Sequence, residues 1–149
     1  MDILLPVQIE LRVVTPERMV VSATTSSVSL PGASGRLGVL PGHAPLVSEL
    51  SAGVLSYEQN GEAHVFAVSQ GFTEVLQGRV IVLVQTAEKA EDIDLERAQR
   101  AKQRAEDRLK NIGDAAIDTE RAQAALNRAV ARVEAAESSP RDTRAARTP

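Results

Sequence analysis

The chain has no cysteine and no tryptophan among its 149 residues, and only three aromatic side chains, Tyr57, Phe66 and Phe72. The missing cysteines exclude disulfides, thiol nucleophiles and thiolate metal sites, and they are compatible with a reducing compartment. So few aromatics cannot supply the stacking platforms that hold single-stranded nucleic acid. They also leave Val, Leu and Ile to build any core. The net charge of −3 argues against a general phosphate-backbone binder, so no nucleic-acid partner is expected. No apolar run approaches the roughly 20 residues of a membrane span. Direct membrane insertion is therefore not expected, and a role at a membrane would need other proteins to hold the chain there. A signal peptide is not expected either: Asp2 stands where a basic region would be, and Glu10 and Arg12 interrupt the apolar residues. Histidine is scarce. His43 and His64 are the two present, and neither has the spacing of a metal-ligand motif. With no Walker-type glycine loop, the residues contain no catalytic constellation, and no metal site is expected.

What is present falls into two regions with different composition. Residues 1–90 carry 8 acids, 5 bases and eight of the nine glycines, whereas residues 91–137 carry 11 acids and 9 bases in about half the length. The first region reads as short strands: Val7–Val14, Met19–Val21, Ser27–Leu30, Leu37–Leu40, Val54–Tyr57, His64–Val68, Thr73–Leu76 and Val80–Val84. In the first of these, Val7, Ile9, Leu11 and Val13 share one face. Turn pairs separate the strands: Pro31-Gly32, Ser34-Gly35, Pro41-Gly42, Asn60-Gly61 and Gln77-Gly78. Asn60-Gly61 is a strong hairpin signal, because both residues tolerate positive φ. Short, closely spaced, mostly antiparallel strands predict a β-sandwich or barrel.

The second region reads as two helices. Leu95, Ala98, Ala105, Leu109 and Ile112 form one apolar stripe, and Ala122, Leu126, Ala129, Val133 and Ala136 form another. The break falls at Asn111–Asp114 around Gly113, which predicts an antiparallel hairpin. The fold class is therefore β + α, with an N-terminal β-sandwich (residues 1–88), a C-terminal two-helix hairpin (89–137) and a disordered tail (138–149). The helices repeat one another: residues 93–99, IDLERAQ, recur as IDTERAQ at 117–123. In each copy the aspartate can cap the helix start. Two similar helices sharing a start signal need no further function.

Arginines recur at spacings of four, at Arg100, Arg104 and Arg108 and again at Arg128 and Arg132. Such rows repel by about 0.2–0.5 kcal/mol per pair. They are either solvated faces relieved by nearby acids, or a surface that takes an anion or an acidic partner. The stripes are rich in alanine. At about 0.8 kcal/mol per buried CH₂, an alanine seam docks weakly, while Ala, Glu, Arg, Gln and Lys favour helix. Strong helices with weak attachment suit a movable element.

Residues Leu30–Tyr57 read LPGASGRLGVLPGHAPLVSELSAGVLSY. This segment, with VSQGFTEV at Val68–Val75 and the two charged helices in order, resembles the epsilon subunit family of bacterial-type ATP synthases over residues 7–137. The resemblance implies a non-catalytic rotor and regulatory subunit of the central stalk, peripheral at the cytoplasmic face of the bacterial inner membrane. It implies a sandwich that binds the gamma subunit and sits on the c-ring. The turn of Gly32, Ala33, Ser34, Gly35 and Arg36 resembles the ring-contacting loop, although an acidic residue is frequent there in the family. Pro41, Gly42 and His43 would shape the end of the sandwich. The hairpin, when extended, would reach the catalytic alpha and beta subunits and suppress ATP hydrolysis. No cofactor is required, but ATP is implied as a regulatory ligand of the folded hairpin. Ile93, Asp94, Arg97 and Ala98 match the family's (I/L)DxxRA motif, Glu88 matches an upstream acidic position, and Arg128 and Arg132 match second-helix arginines.

The residues alone leave two other readings open. One is an unrelated β-sandwich adaptor whose hairpin self-associates. The other is an enzyme using His43, which reads more simply as a turn or contact residue.

Overall fold

A computed structural model describes residues 7–111, 113 and 118–139. Ile112 of the first stripe, Asp114 of the break, Ile117 of the repeat and the tail from Pro140 onward lie outside the described residues.

Ten strands form one hydrogen-bonded sheet: β1 (Ile9–Val14), β2 (Met19–Thr25), β3 (Val28–Gly32), β4 (Gly35–Val39), β5 (Leu46–Leu50), β6 (Gly53–Gln59), β7 (Glu62–Val68), β8 (Gly71–Leu76), β9 (Arg79–Val84) and β10 (Ala87–Lys89). The order is β10-β7-β6-β3-β5-β8-β9-β1-β2, with β4 beside β3. All pairings are antiparallel except β1 with β9. β2 returns towards β6, so the sheet folds over into a near-closed sandwich, as expected from the strand pattern.

Alternation chooses the core. Ile9, Leu11 and Val13 point inward from β1, Val80, Val82 and Val84 from β9, and Leu30 and Leu55 from β3 and β6. Two buried hydroxyls of the sandwich are paired: Thr73 Oγ1 donates to the Ile81 carbonyl at 3.0 Å, and Thr25 Oγ1 donates to the Glu58 carbonyl and accepts from the Ser27 amide. The β6–β7 turn has Asn60 at φ 53° and Gly61 at φ 76°, the conformation its sequence predicted.

Several strand expectations need correction, among them the short edge strand β10, which was not expected. Val7 is exposed ahead of β1 and does not share its buried face. Leu40 also lies outside its strand, since β4 runs Gly35–Val39. β5 was not expected, because LVSEL is short and carries a polar serine and glutamate. It forms because both its edges are satisfied, by β8 and by the end of β3.

Two helices follow a single 3₁₀ turn at Ala90–Asp92: α1 (Leu95–Lys110) and α2 (Thr119–Glu137). Their starts are equivalent. Asp94 Oδ1 accepts from the Arg97 amide and Asp118 Oδ1 from the Arg121 amide, each at 3.1 Å. Both apolar stripes face inward, with Ala98, Ala105, Ala122, Ala129, Val133 and Ala136 buried. α2 buries a second side as well, through Ala131 and Ala135, and lies between α1 and the outer face of β6 and β7. Val65 and Ala67 of β7 meet Ile93, Ala98, Val133, Ala135 and Ala136 in this second cluster. α1 therefore rides on α2 rather than on the sheet.

Candidate functional site

The sandwich has two outer faces, and α2 covers the one on β6 and β7. The other, on β5, β8 and β9, carries Val47, Phe72 and Leu83 at 74%, 54% and 52% exposure. Register places Glu49, Phe72 and Leu83 in one row across the three strands, and Val47, Glu74 and Ile81 in the next. Glu10 is paired with Arg12 and Arg79 beside them, at 2.5 and 3.6 Å. The face is an apolar patch with Glu49 and Glu74 along it, and it borders a hollow that also takes in Thr15, Pro16 and Gln70. Sequence reasoning marked none of these residues. The available signal was Phe72 and Leu83 at outward positions of their strands.

The β3–β4 turn is held from several sides. Gly32 opposes Gly35, and a Cβ on Gly32 would stand 2.5 Å from the Gly35 carbonyl oxygen. The Ala33 amide donates to Glu49 O at 3.0 Å. Arg36 bends back over the sheet, donating to Val54 O at 2.7 Å and to Ser29 Oγ. The tip of the turn is therefore Ala33 and Ser34, without charge. His43 lies half-buried in the turn after β4, where its Nδ1 is 2.7 Å from Ala44 O and so carries the proton of a local hydrogen bond. His64 stacks on Tyr57 in the adjacent strand, with centroids 4.8 Å apart. Burial pushes the Tyr57 phenol above its ordinary pKa.

The third feature is a cleft of about 260 Å³ between the sheet edge and the hairpin. Ala67–Ser69, Thr86 and Glu88 form one wall, Arg104 and Arg108 of α1 the other, and Arg128 and Arg132 rise from α2. Arg132 Nε donates to Glu88 Oε2 at 2.9 Å, and its Nη2 donates to Glu88 Oε1 at 3.2 Å. Four arginines thus line one cleft, and Arg132 among them is paired with the carboxylate of Glu88. Planar guanidiniums converging in a partly enclosed space suit phosphate oxygens.

Of the residues matched to a nucleotide site, Glu88, Arg128 and Arg132 come together here. The others stand elsewhere: Ile93 and Ala98 are packed in the second apolar cluster, the Asp94 side chain caps α1, and Arg97 is exposed on its outer side. Arg104 and Arg108 belong to the cleft although they were not among the matched residues. Their four-residue spacing was visible, but not the helix packing that brings them to the same cleft as Arg128 and Arg132.

Residues 8–90 match the ATP synthase delta/epsilon chain beta-sandwich domain, and residues 91–137 match the long alpha-helix domain of the same chain. The chain belongs to the ATP synthase epsilon-chain family. Among its relatives, the ATP synthase epsilon chain of Desulforamulus reducens is 52% identical over 103 residues, covering 69% of this chain and 78% of that one. The Koribacter versatilis epsilon chain is 48% identical over 104 residues, covering 70% and 73%. A chain in the Euglena gracilis mitochondrial ATP synthase structure, which contains OSCP, F1 and the c-ring, superposes with a TM-score of 0.75 at 26% identity, covering 85% of this chain and 80% of that one. Membership in the epsilon-chain family displaces the reading of an unrelated adaptor.

Proposed function

We propose that this chain is the epsilon subunit of a proton-translocating F-type ATP synthase, working in the central stalk as a non-catalytic rotor and regulatory subunit. The observation that carries the reading is the match to both family domains, in order, over residues 8–137. The sandwich docks on gamma through the uncovered face around Val47, Phe72 and Leu83. An exposed apolar patch of this kind on an otherwise solvated sheet favours a protein partner. The neutral tip at Ala33 and Ser34 meets the c-ring, with Arg36 holding the turn in shape rather than reaching across. The complex lies at the cytoplasmic face of the bacterial inner membrane, and no described helix is long and apolar enough to cross it.

The hairpin regulates. Folded on β6 and β7 it leaves rotation free; extended along gamma it reaches the alpha and beta subunits and suppresses hydrolysis. Support comes from the seam: most side chains it buries are alanines, so undocking costs far less than opening the sandwich. ATP binds the folded form with its phosphates in the arginine cleft, and a ligand that binds only that form stabilises it by mass action.

The test is ATP hydrolysis by an epsilon-depleted catalytic head, with the full chain added or a chain ending at Ala90, which retains β10. Inhibition by the full chain alone is expected. Equal inhibition by both removes the hairpin from the mechanism, and failure of either to bind gamma removes the assignment.

A further inference from the structure

Among the described residues, Glu88–Arg132 is the one ion pair joining the sandwich to the hairpin; the others lie within the sandwich or within α1. Its geometry is two-pronged, through Nε and Nη2 of Arg132 to both carboxylate oxygens. That edge of a guanidinium is the one a phosphate would also take. Arg104, Arg108 and Arg128 line the same cleft and form no ion pair among the described residues. Glu88 stands on β10, the last strand before the hairpin, and Arg132 is 44 residues further along the chain.

We propose that Glu88 is a built-in competitor for the anion site: it occupies Arg132 in the anion-free folded hairpin and is displaced when a di- or triphosphate enters. The inference rests on the reading of the cleft as a phosphate site and adds to it how that site is controlled. One carboxylate then has two opposed effects. It ties α2 to the sheet edge while the cleft is empty, which keeps the hairpin folded without ligand. It also removes a donor from the site and lowers the cleft's positive potential, which weakens anion binding. A phosphate chain that displaces it gains all four arginines, and anion binding replaces the tether instead of adding to it.

The experiment uses the full chain and inorganic tripolyphosphate at fixed ionic strength, with affinity from calorimetry and amide hydrogen exchange along α2. Glu88→Gln keeps the size and polarity of the side chain and is expected to bind tripolyphosphate about two- to fivefold more tightly, the range of a partly exposed ion pair. Without anion its α2 amides should exchange several-fold faster than in the wild type, and saturation with tripolyphosphate should remove the difference. Glu17→Gln deletes the same charge between β1 and β2, at the opposite end of the strand order, and should leave the affinity unchanged. Equal or weaker binding by Glu88→Gln overturns the competition while leaving the phosphate site standing, and equal tightening by Glu17→Gln overturns it in favour of net charge. If neither the wild type nor Glu88→Gln binds, and Arg104→Ala with Arg128→Ala changes nothing, the phosphate site itself falls and the competition with it.

Discussion

The sandwich and the hairpin are built from the same chain by different means. The sandwich buries Leu11, Leu30, Leu55 and a set of valines, with strands distant in sequence paired edge to edge. The hairpin is held by an alanine seam, two aspartate caps and one bridging ion pair. Burying a leucine is worth about 1.5–3 kcal/mol and an alanine methyl less than one. Helix propensity is intrinsic to α1 and α2, so they can persist undocked, whereas no strand of the sandwich can. The difference teaches that one part is cooperative and the other is a separable layer whose attachment is within reach of a ligand's binding energy.

The sharpest way to break this comparison is at Gly71. A Cβ there would lie 1.9 Å from the Leu83 carbonyl oxygen, across the β8–β9 ladder. Gly71→Ala should cost about 3 kcal/mol or more in urea unfolding followed by circular dichroism, since backbone cannot yield as a side chain can. A loss under about 1 kcal/mol would mean that this ladder is looser than its geometry implies.

Next comes a matched pair. Leu55→Ala in the sandwich core should lower global stability by about 3 kcal/mol. Val133→Ala in the seam should cost about 1.5 kcal/mol, two methyl-sized groups at about 0.8 each. That loss should appear as faster hydrogen exchange confined to the hairpin. If Val133→Ala moves the sandwich midpoint by the same amount, the two regions form one cooperative unit.

Asp94→Ala and Asp118→Ala should each cost about 1 kcal/mol of local helix stability, read as fraying of the first turn by amide exchange. The equivalent cap geometry predicts equal effects.

The smallest effect concerns alkaline pH. The folded state holds the Tyr57 proton more tightly than the unfolded state does, because burial raises its pKa. Stability is therefore complete below about pH 10, the unfolded value, and falls as pH rises through the unfolded and then the folded pKa. Tyr57→Phe should flatten that alkaline decline in a pH series of thermal midpoints.

Much of the fold was legible locally. The alternation of Ile9, Leu11 and Val13 predicted an inward face, Asn60-Gly61 predicted a hairpin turn, and the repeated aspartates marked both helix starts. β5 was not legible, because Leu46–Leu50 has weak strand character without its neighbours. One overlooked signal was the unbroken run Val65-Phe66-Ala67-Val68. Strands covered on both faces lose their alternation, and this run marked β7 as lying between the core and α2. In the candidate cleft, Arg128, Arg132 and Glu88 were identified by likeness, while Arg104 and Arg108 were visible only as a charge row.

The sequence by itself determined the two-part plan: period-two apolar residues and glycine turns make a sheet, alanine-rich 3.6-residue periodicity makes helices, and the caps place their starts. Only the tertiary structure decided the parallel pairing of β1 with β9, the choice of covered and open sandwich faces, and the pairing of Glu88 with Arg132 in a cleft that three further arginines line. Periodicity and capping are set within a few residues of chain. Which faces and edges meet depends on contacts tens of residues apart, whose free energy appears only once the layers have packed.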